Sequence, residues 1–187
     1  MKAIVNSTDL NRAISATRDF VRKDLNRLFR AYIRLEFNAA DACMTAMAVN
    51  GFMMSVEHVP CTCDEDLVTY IHPYIKLPNK KPVTIEVTEA ETLIRCEDII
   101  FGCPRIAGED NFDWRKALPA EPEFKIAFNA RYLRTALNAA AVSLGSGSKA
   151  SVILEFRGPT EPVILRTKRP NQSDDIKMVM PVRIRMN

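Results

Sequence analysis

The chain has 187 residues, 47% hydrophobic and 26% charged, which fits one large domain or two small ones and excludes disorder, collagen and coiled coil. A chain this long buries roughly 70% of the surface its unfolded form exposes, so it holds a core without a metal or disulfide staple. The formal charge of +3 is too small to demand a nucleic-acid partner, so the placement of Lys and Arg matters more than their sum.

The opening residues Lys2 to Val5 read as a strand. Ser7, Thr8 and Asp9 then offer N-cap oxygens to a helix expected from about Asp9 to Lys23. Leu10, Ala13, Ile14, Thr17, Phe20 and Val21 fall on its core arc, opposite a mostly basic arc of Arg12, Ser15, Arg18, Asp19, Arg22 and Lys23. After a charged connector, Tyr32 to Phe37, Ala42 to Val49 and Phe52 to Val59 have strand character. Asn50-Gly51 predicts a type I′ hairpin between the last two. The first sixty residues thus spell β-α-β-β-β.

PCTCDED at 60–66 is expected to break the pattern. Strands follow at Val68 to Ile71, Val83 to Val87, Thr92 to Cys96 and Ile99 to Pro104. Between the first two of these, Pro73, Pro78 and Pro82 leave no room for a helix, since an interior proline costs about 3 kcal/mol. The second unit therefore keeps its strands and lacks its helix. Residues 107–122 read as a connector that packs through Phe112 and Trp114.

The pattern restarts with a strand at Phe124 to Phe128, an N-cap at Asn129 and a helix from Ala130 to about Leu144. Its core arc is Leu133, Ala136, Leu137, Ala140 and Leu144, opposite Arg131, Arg134, Thr135 and Asn138. Gly145 to Ser148 ends it, and strands follow at Val152 to Phe156, Pro162 to Thr167 and Ile176 to Ile184. Three β-α-β-β-β-like units form an internal repeat, visible in pattern more than in identity.

Chemistry-bearing motifs are sparse. His58, Cys61 and Cys63 give H-x-x-C-x-C with His72 nearby, but no second cysteine pair follows at zinc-site spacing. No cofactor or metal is expected, and free thiols in a connector explain the cluster. No local motif encodes a nucleophile with a base and an orienting group, so the chain is not read as an enzyme. GSGSK at 145–149 follows a helix and precedes a strand, the reverse of a phosphate-binding P-loop. The odd cysteine count and an N-terminus without an apolar signal stretch predict a cytoplasmic protein with reduced thiols. Apolar runs far below ~20 residues predict no transmembrane segment and no membrane partner.

YIRLEF (32–37), TAMAVNGFMMSVEHV (45–59), FGCPRIAGEDNFDWRKALP (101–119) and, most specifically, FNARYLRTALNAA (128–140) with DDIKMVMPVRI (174–184) resemble the bacterial DNA polymerase III β subunit, the sliding-clamp family. The family has three domains and six units, against about three here, and it ends near the residue matching Ile184, with Arg185, Met186 and Asn187 beyond. The resemblance implies an α+β DNA-clamp fold of curved antiparallel sheets outside and two helices on the inner face. Its expected parts are an N-terminal region to about residue 113 and a C-terminal region from about 120.

The resemblance also implies a non-enzymatic processivity factor that encircles duplex DNA as a homo-oligomeric ring and tethers DNA polymerase and clamp-loader peptides. Arg12, Arg18, Arg22, Lys23, Arg131 and Arg134 are the candidates for sequence-independent phosphate contact. An ordinary solvated helix face explains the same residues. Carried over by matching, Met178, Val179, Met180, Pro181, Val182 and Arg183 would form part of a peptide groove, where methionines repack around different anchors. A plain buried strand is the other reading of that segment. A clamp-fold interaction module that binds peptides without surrounding DNA is the rival function.

Overall fold

The computed structural model describes residues 1–22, 28–106, 112–118, 121–144, 151–167 and 175–183. The chain divides into two compact units, Met1–Phe112 and Asp113–Asn187.

In the N-terminal unit, Lys2–Asn6 (β1) leads directly into Ser7–Thr17 (α1). The cap is Asn6, whose side chain accepts from the Thr8 N–H at 2.8 Å, rather than any of the three residues after it. The helix ends at Thr17, earlier than its periodicity suggests, because the buried Thr17 hydroxyl turns back to the Ala13 carbonyl at 2.8 Å and a 3-10 turn follows over Arg18–Phe20. Strands Ile33–Asn38 (β2), Cys43–Val49 (β3) and Met54–Cys63 (β4) complete the first repeat. The second consists of Leu67–Ile71 (β5), Pro82–Val87 (β6), Glu91–Cys96 (β7) and Ile99–Pro104 (β8).

Two expectations need correction here. The Asn50-Gly51 turn is a four-residue loop, not type I′. Only Gly51 has a positive φ, 92°, while the Asn50 side chain accepts from the Phe52 and Met53 N–H groups. PCTC does not break the strand. Residues Cys61 to Cys63 leave β3 and pair with β1 (Val5↔Cys61, Ala3↔Cys63), so Pro60 marks a change of partner rather than an end.

All eight strands are antiparallel, in the order β5-β2-β3-β4-β1-β6-β7-β8. The first strand of each repeat therefore pairs with the second strand of the other: β1 with β6, and β5 with β2. The core is built from Leu10, Ala13 and Ile14 of α1 packed on Val5, Leu35, Met44, Val59, Ile85 and Ile94. Where a second helix would lie, residues 72–81 run without one. Pro73, Ile75 and Leu77 are buried and alternate with exposed His72, Tyr74 and Lys76. Asn11 fastens this strap to α1: its side chain donates to the Leu77 carbonyl at 2.8 Å and accepts from the Leu77 N–H at 3.1 Å.

The C-terminal unit repeats the first half of this plan once. Ala127–Phe128 (β9) precedes Ala130–Leu144 (α2), capped by the Asn129 side chain, which accepts from the Arg131 N–H at 3.0 Å. Val152–Glu155 (β10), Val163–Thr167 (β11) and Asp175–Val179 (β12) form one sheet, and Pro181–Val182 (β13) returns to pair with β9. The expected strand from 176 onward is thus split at Met180, where it passes from β11 to β9 as β4 passes from β3 to β1. β9 is shorter than expected, and among the described residues it has one strand neighbour where β1 has two. The core is small: Ala136, Val163, Leu165 and Val179, with Phe128, Leu133 and Val152 against them. Leu137, expected inside, is exposed.

Gly145 to Lys149, Ile184 and the tail after it lie outside the described residues. Among the described residues no helix is long and apolar enough to cross a membrane.

Candidate functional site

α2 and the last strand segments enclose a cleft of about 990 Å³ within the C-terminal unit. Met178, Val179, Met180, Pro181 and Val182 line one side, and Tyr132, Thr135, Ala136 and Ala139 of α2 line the other. Val179 is buried in the floor, while Met178, Met180, Val182 and Tyr132 are exposed, so the strand is not simply a buried end of the sheet. Arg183 is exposed and outside the cleft lining. Arg131 and Lys177 add positive charge to a mostly apolar surface. Such a surface suits an extended peptide with apolar anchors and a carboxylate.

The N-terminal unit explains why this cleft is open. Each helix begins after a capping asparagine, and the sixth residue beyond the cap is Arg12 in α1 and Thr135 in α2. Arg12 spans the corresponding space, ion-pairing Glu57 on β4 and donating to the His58 carbonyl at 2.9 Å. Thr135 is too short to span it, and its hydroxyl donates to the Arg131 carbonyl at 2.9 Å. The residue matching Glu57 is Lys177, four before the strand residue that faces the one preceding the cap (Cys61↔Val5, Pro181↔Phe128). Lys177 turns to the Ser143 hydroxyl at 2.7 Å. Of the α2 residues of the cleft, the sequence singles out only Arg131, and for phosphate contact rather than for the cleft. Offsetting the two capping asparagines would have found Thr135.

The basic residues do not form one helical stripe. Arg12 is engaged as described, and Arg131 belongs to the cleft. Arg18 lies in the 3-10 turn, half exposed, with Asp19 3.8 Å from its Nε. Arg22 lies beyond that turn, exposed, its backbone N–H bonded to the Arg30 carbonyl at 2.8 Å. Arg134 is exposed on α2. Lys23 is outside the described residues.

The histidines and thiols do not converge. Strand alternation sends His58 to the side opposite Cys61 and Cys63, where its Nδ1 meets the Thr45 hydroxyl at 3.2 Å. His72 packs against Tyr32 and Tyr74, with ring centroids 6.0 and 5.6 Å away. All five cysteines are free. Burial, reinforced by the neighbouring Cys63 thiol, pushes the Cys61 thiol from its ordinary 9.0 up to about 12, the opposite of an activated nucleophile.

No protein-family model matches the sequence, and no curated protein matches it. Solved structures do. The DNA polymerase sliding clamp from Bacillus subtilis superimposes with a TM-score of 0.84 at 14% identity, over 97% of this chain and 49% of that one. A putative DNA polymerase III β subunit from Eubacterium rectale gives 0.83 at 14%, over 97% and 50%. The DNA polymerase III subunit β from Pseudomonas aeruginosa gives 0.81 at 14%, over 97% and 51%. The fold is that of the bacterial sliding clamp. The α+β class and the clamp resemblance read from the sequence hold at the level of fold. This chain spans about half the length of the clamp chains it matches.

Proposed function

We propose that the chain is a non-enzymatic, clamp-fold tether that docks peptides of replication proteins in the cleft between α2 and the C-terminal strand and associates with duplex DNA without reading its sequence. The observation that carries this is the cleft itself. Five of the six residues expected from the clamp resemblance line it, and the side chain that spans the equivalent space in the N-terminal unit is absent. Its combination of apolar wall and positive rim favours a peptide over a small polar substrate. Phosphate contact is assigned to Arg18, Arg22 and Arg134, which are exposed and able to neutralise charge without base contact.

Two titrations test the proposal separately. Binding of a labelled duplex should weaken as salt rises and be lost in Arg18→Glu/Arg22→Glu/Arg134→Glu. Unchanged binding would remove these residues from the DNA surface. Binding of a linear peptide that recognises bacterial sliding clamps should weaken on Met180→Ala and on Pro181→Ala, and no change would dismiss the cleft. The second reading is a peptide-docking module that does not surround DNA. The engagement of Arg12 with Glu57 and the nearness of Asp19 to Arg18 favour it, because both reduce the free positive charge around α1. Peptide binding together with no duplex binding would select it.

A further inference from the structure

The strap that replaces a second helix has two sides with different tasks. Pro73, Ile75 and Leu77 are buried and cover the core, so the outward His72, Tyr74 and Lys76 are not needed for that cover. Tyr74 is nevertheless a large aromatic left 68% exposed. Between the strap, Tyr32 and β8 lies a cavity of about 290 Å³. Ile75 and Cys103 give it a buried apolar base, and Tyr32, His72, Tyr74 and Phe101 surround it with rings. The His72 ring stands edge-on to Tyr32, at 83° with centroids 6.0 Å apart, and is tilted by 52° to Tyr74 at 5.6 Å.

The chemistry of these groups selects the guest. The Tyr74 N–H donates to the His72 Nδ1 at 3.3 Å, so the neutral imidazole carries its proton on Nε2 and offers a donor there. No charged side chain lines the cavity. The Glu91 carboxylate approaches Gly102 from the face of β8 opposite Phe101 and Cys103. Further along the same segment Lys76 and Lys80 are exposed and have no ion-pair partner among the described residues, whereas Lys81 is held by Glu97 at 2.6 Å. The volume falls at the lower end of the range of about 300–1,000 Å³ for small-molecule sites, enough for one ring system and too little for an extended peptide. A methylated ammonium also suits aromatic walls, but here no carboxylate lines the cavity and the unpaired charges of the strap are themselves cationic. A planar ring that carries an anion satisfies both the rings and the lysines, and a nucleobase with its phosphate has that composition.

We propose that this cavity takes an unpaired base of single-stranded nucleic acid, seated among the Tyr32, His72 and Tyr74 rings, while Lys76 and Lys80 neutralise the phosphates beside it. A strand fits better than a free nucleotide, because Tyr74 is too exposed for the site to enclose a small ligand and two lysines spread along the segment can meet more than one phosphate. A paired base is excluded, since its faces are stacked within the duplex and it must first be turned out. Stacking is tolerant of base identity, so the site discriminates unpaired from paired rather than one sequence from another. It shares no residue with the peptide cleft or with Arg18, Arg22 and Arg134, and it stands whether or not the peptide and duplex readings hold.

Fluorescence anisotropy of a labelled short oligothymidylate tests this on the full chain, both unsubstituted and as Arg18→Glu/Arg22→Glu/Arg134→Glu, which separates the strap from any duplex surface. Binding should saturate in both and resist competition by unlabelled duplex in the second. Tyr74→Ala, an exposed substitution whose fold is checked by circular dichroism, should weaken binding at least about fivefold, and Tyr74→Phe, which keeps the ring, should retain it. Lys76→Ala and Lys80→Ala should each lower the slope of log affinity against log salt by about 0.7. A strand carrying 5-iododeoxyuridine should photocross-link to Tyr32, His72 or Tyr74. Absence of single-strand binding overturns the proposal, as does binding unchanged by Tyr74→Ala and Lys76→Ala, or cross-linking confined to the C-terminal unit. Thymidine monophosphate binding as tightly as the oligomer would overturn the assignment to a strand.

Discussion

The two helices share a plan of entry, an Asn cap followed by Leu at the fourth position and Ala at the seventh, yet their neighbourhoods differ. Around α1, two repeats have exchanged their first strands, and Leu10, Ala13 and Ile14 are sealed in one core. Around α2 the described residues form a single repeat with no exchanged strand, and the equivalent Leu133 and Leu137 are partly buried and exposed, respectively. At the sixth position Arg12 fills a space that Thr135 leaves as a cleft. The repeat supplies the frame, and function is expected where the described frame is left open. One side chain decides whether the helix-strand cleft is closed, and one strand exchange decides whether the sheet edge is closed.

Substitutions at matched positions can break this comparison. Leu10→Ala should have the largest effect, costing about 2–5 kcal/mol in denaturant unfolding because it empties a fully buried site. Leu133→Ala, at the partly covered equivalent, should cost about 1 kcal/mol or a little more. Equal costs would mean that the two cores are equally closed. Copying the N-terminal contact into the cleft by Thr135→Arg/Lys177→Glu should reduce peptide affinity at least about tenfold while preserving the fold by circular dichroism, since it builds the Arg12–Glu57 pair across the opening. Retained affinity would mean that the cleft is not the peptide site.

Alkaline pH sharpens the comparison from the other side, because Cys61 stands where the open repeat has Pro181. The thiol is held neutral by the fold, so its contribution to stability is fully present below its ordinary value of 9.0 and is lost as pH rises toward about 12. Unfolding of the N-terminal unit should therefore ease progressively above pH 9, and Cys61→Ala should flatten that dependence. A slope unchanged by Cys61→Ala would assign it to other groups. Gly51→Ala should cost about 1 kcal/mol, since φ of 92° is strained for any residue with a Cβ although nothing lies within 4 Å of the space it would fill. Arg12→Ala should cost less still, up to about 1 kcal/mol, because the pair it breaks is partly exposed.

Local pattern carried much of the fold. The bounds of β8, the cap at Asn129, the span of α2 and the missing middle helix all follow from signals within a few residues. The failures share a cause, which is that a strand's length depends on its neighbours. Cys61 to Cys63 extend because β1 receives them, whereas among the described residues Phe124 to Ile126 have no strand beside them. Residues around Pro60 and Pro181 mark a change of partner, which sequence presents as a break. Of the cleft, the strand side was legible through the clamp resemblance. The α2 side was not, because it depends on which face of a helix lacks a long side chain, and that emerges only when the two repeats are set in register.

The most direct measurement is the methyl spectrum of the methionines during titration with a clamp-binding peptide. Met178 and Met180 line the cleft, whereas Met44 and Met47 are buried in the N-terminal unit and serve as internal references. Saturable shifts are expected at Met178 and Met180 with Met44 and Met47 unmoved, and those shifts should be lost in Thr135→Arg/Lys177→Glu. Shifts confined to the N-terminal methionines, or none at all at peptide saturation, would contradict it.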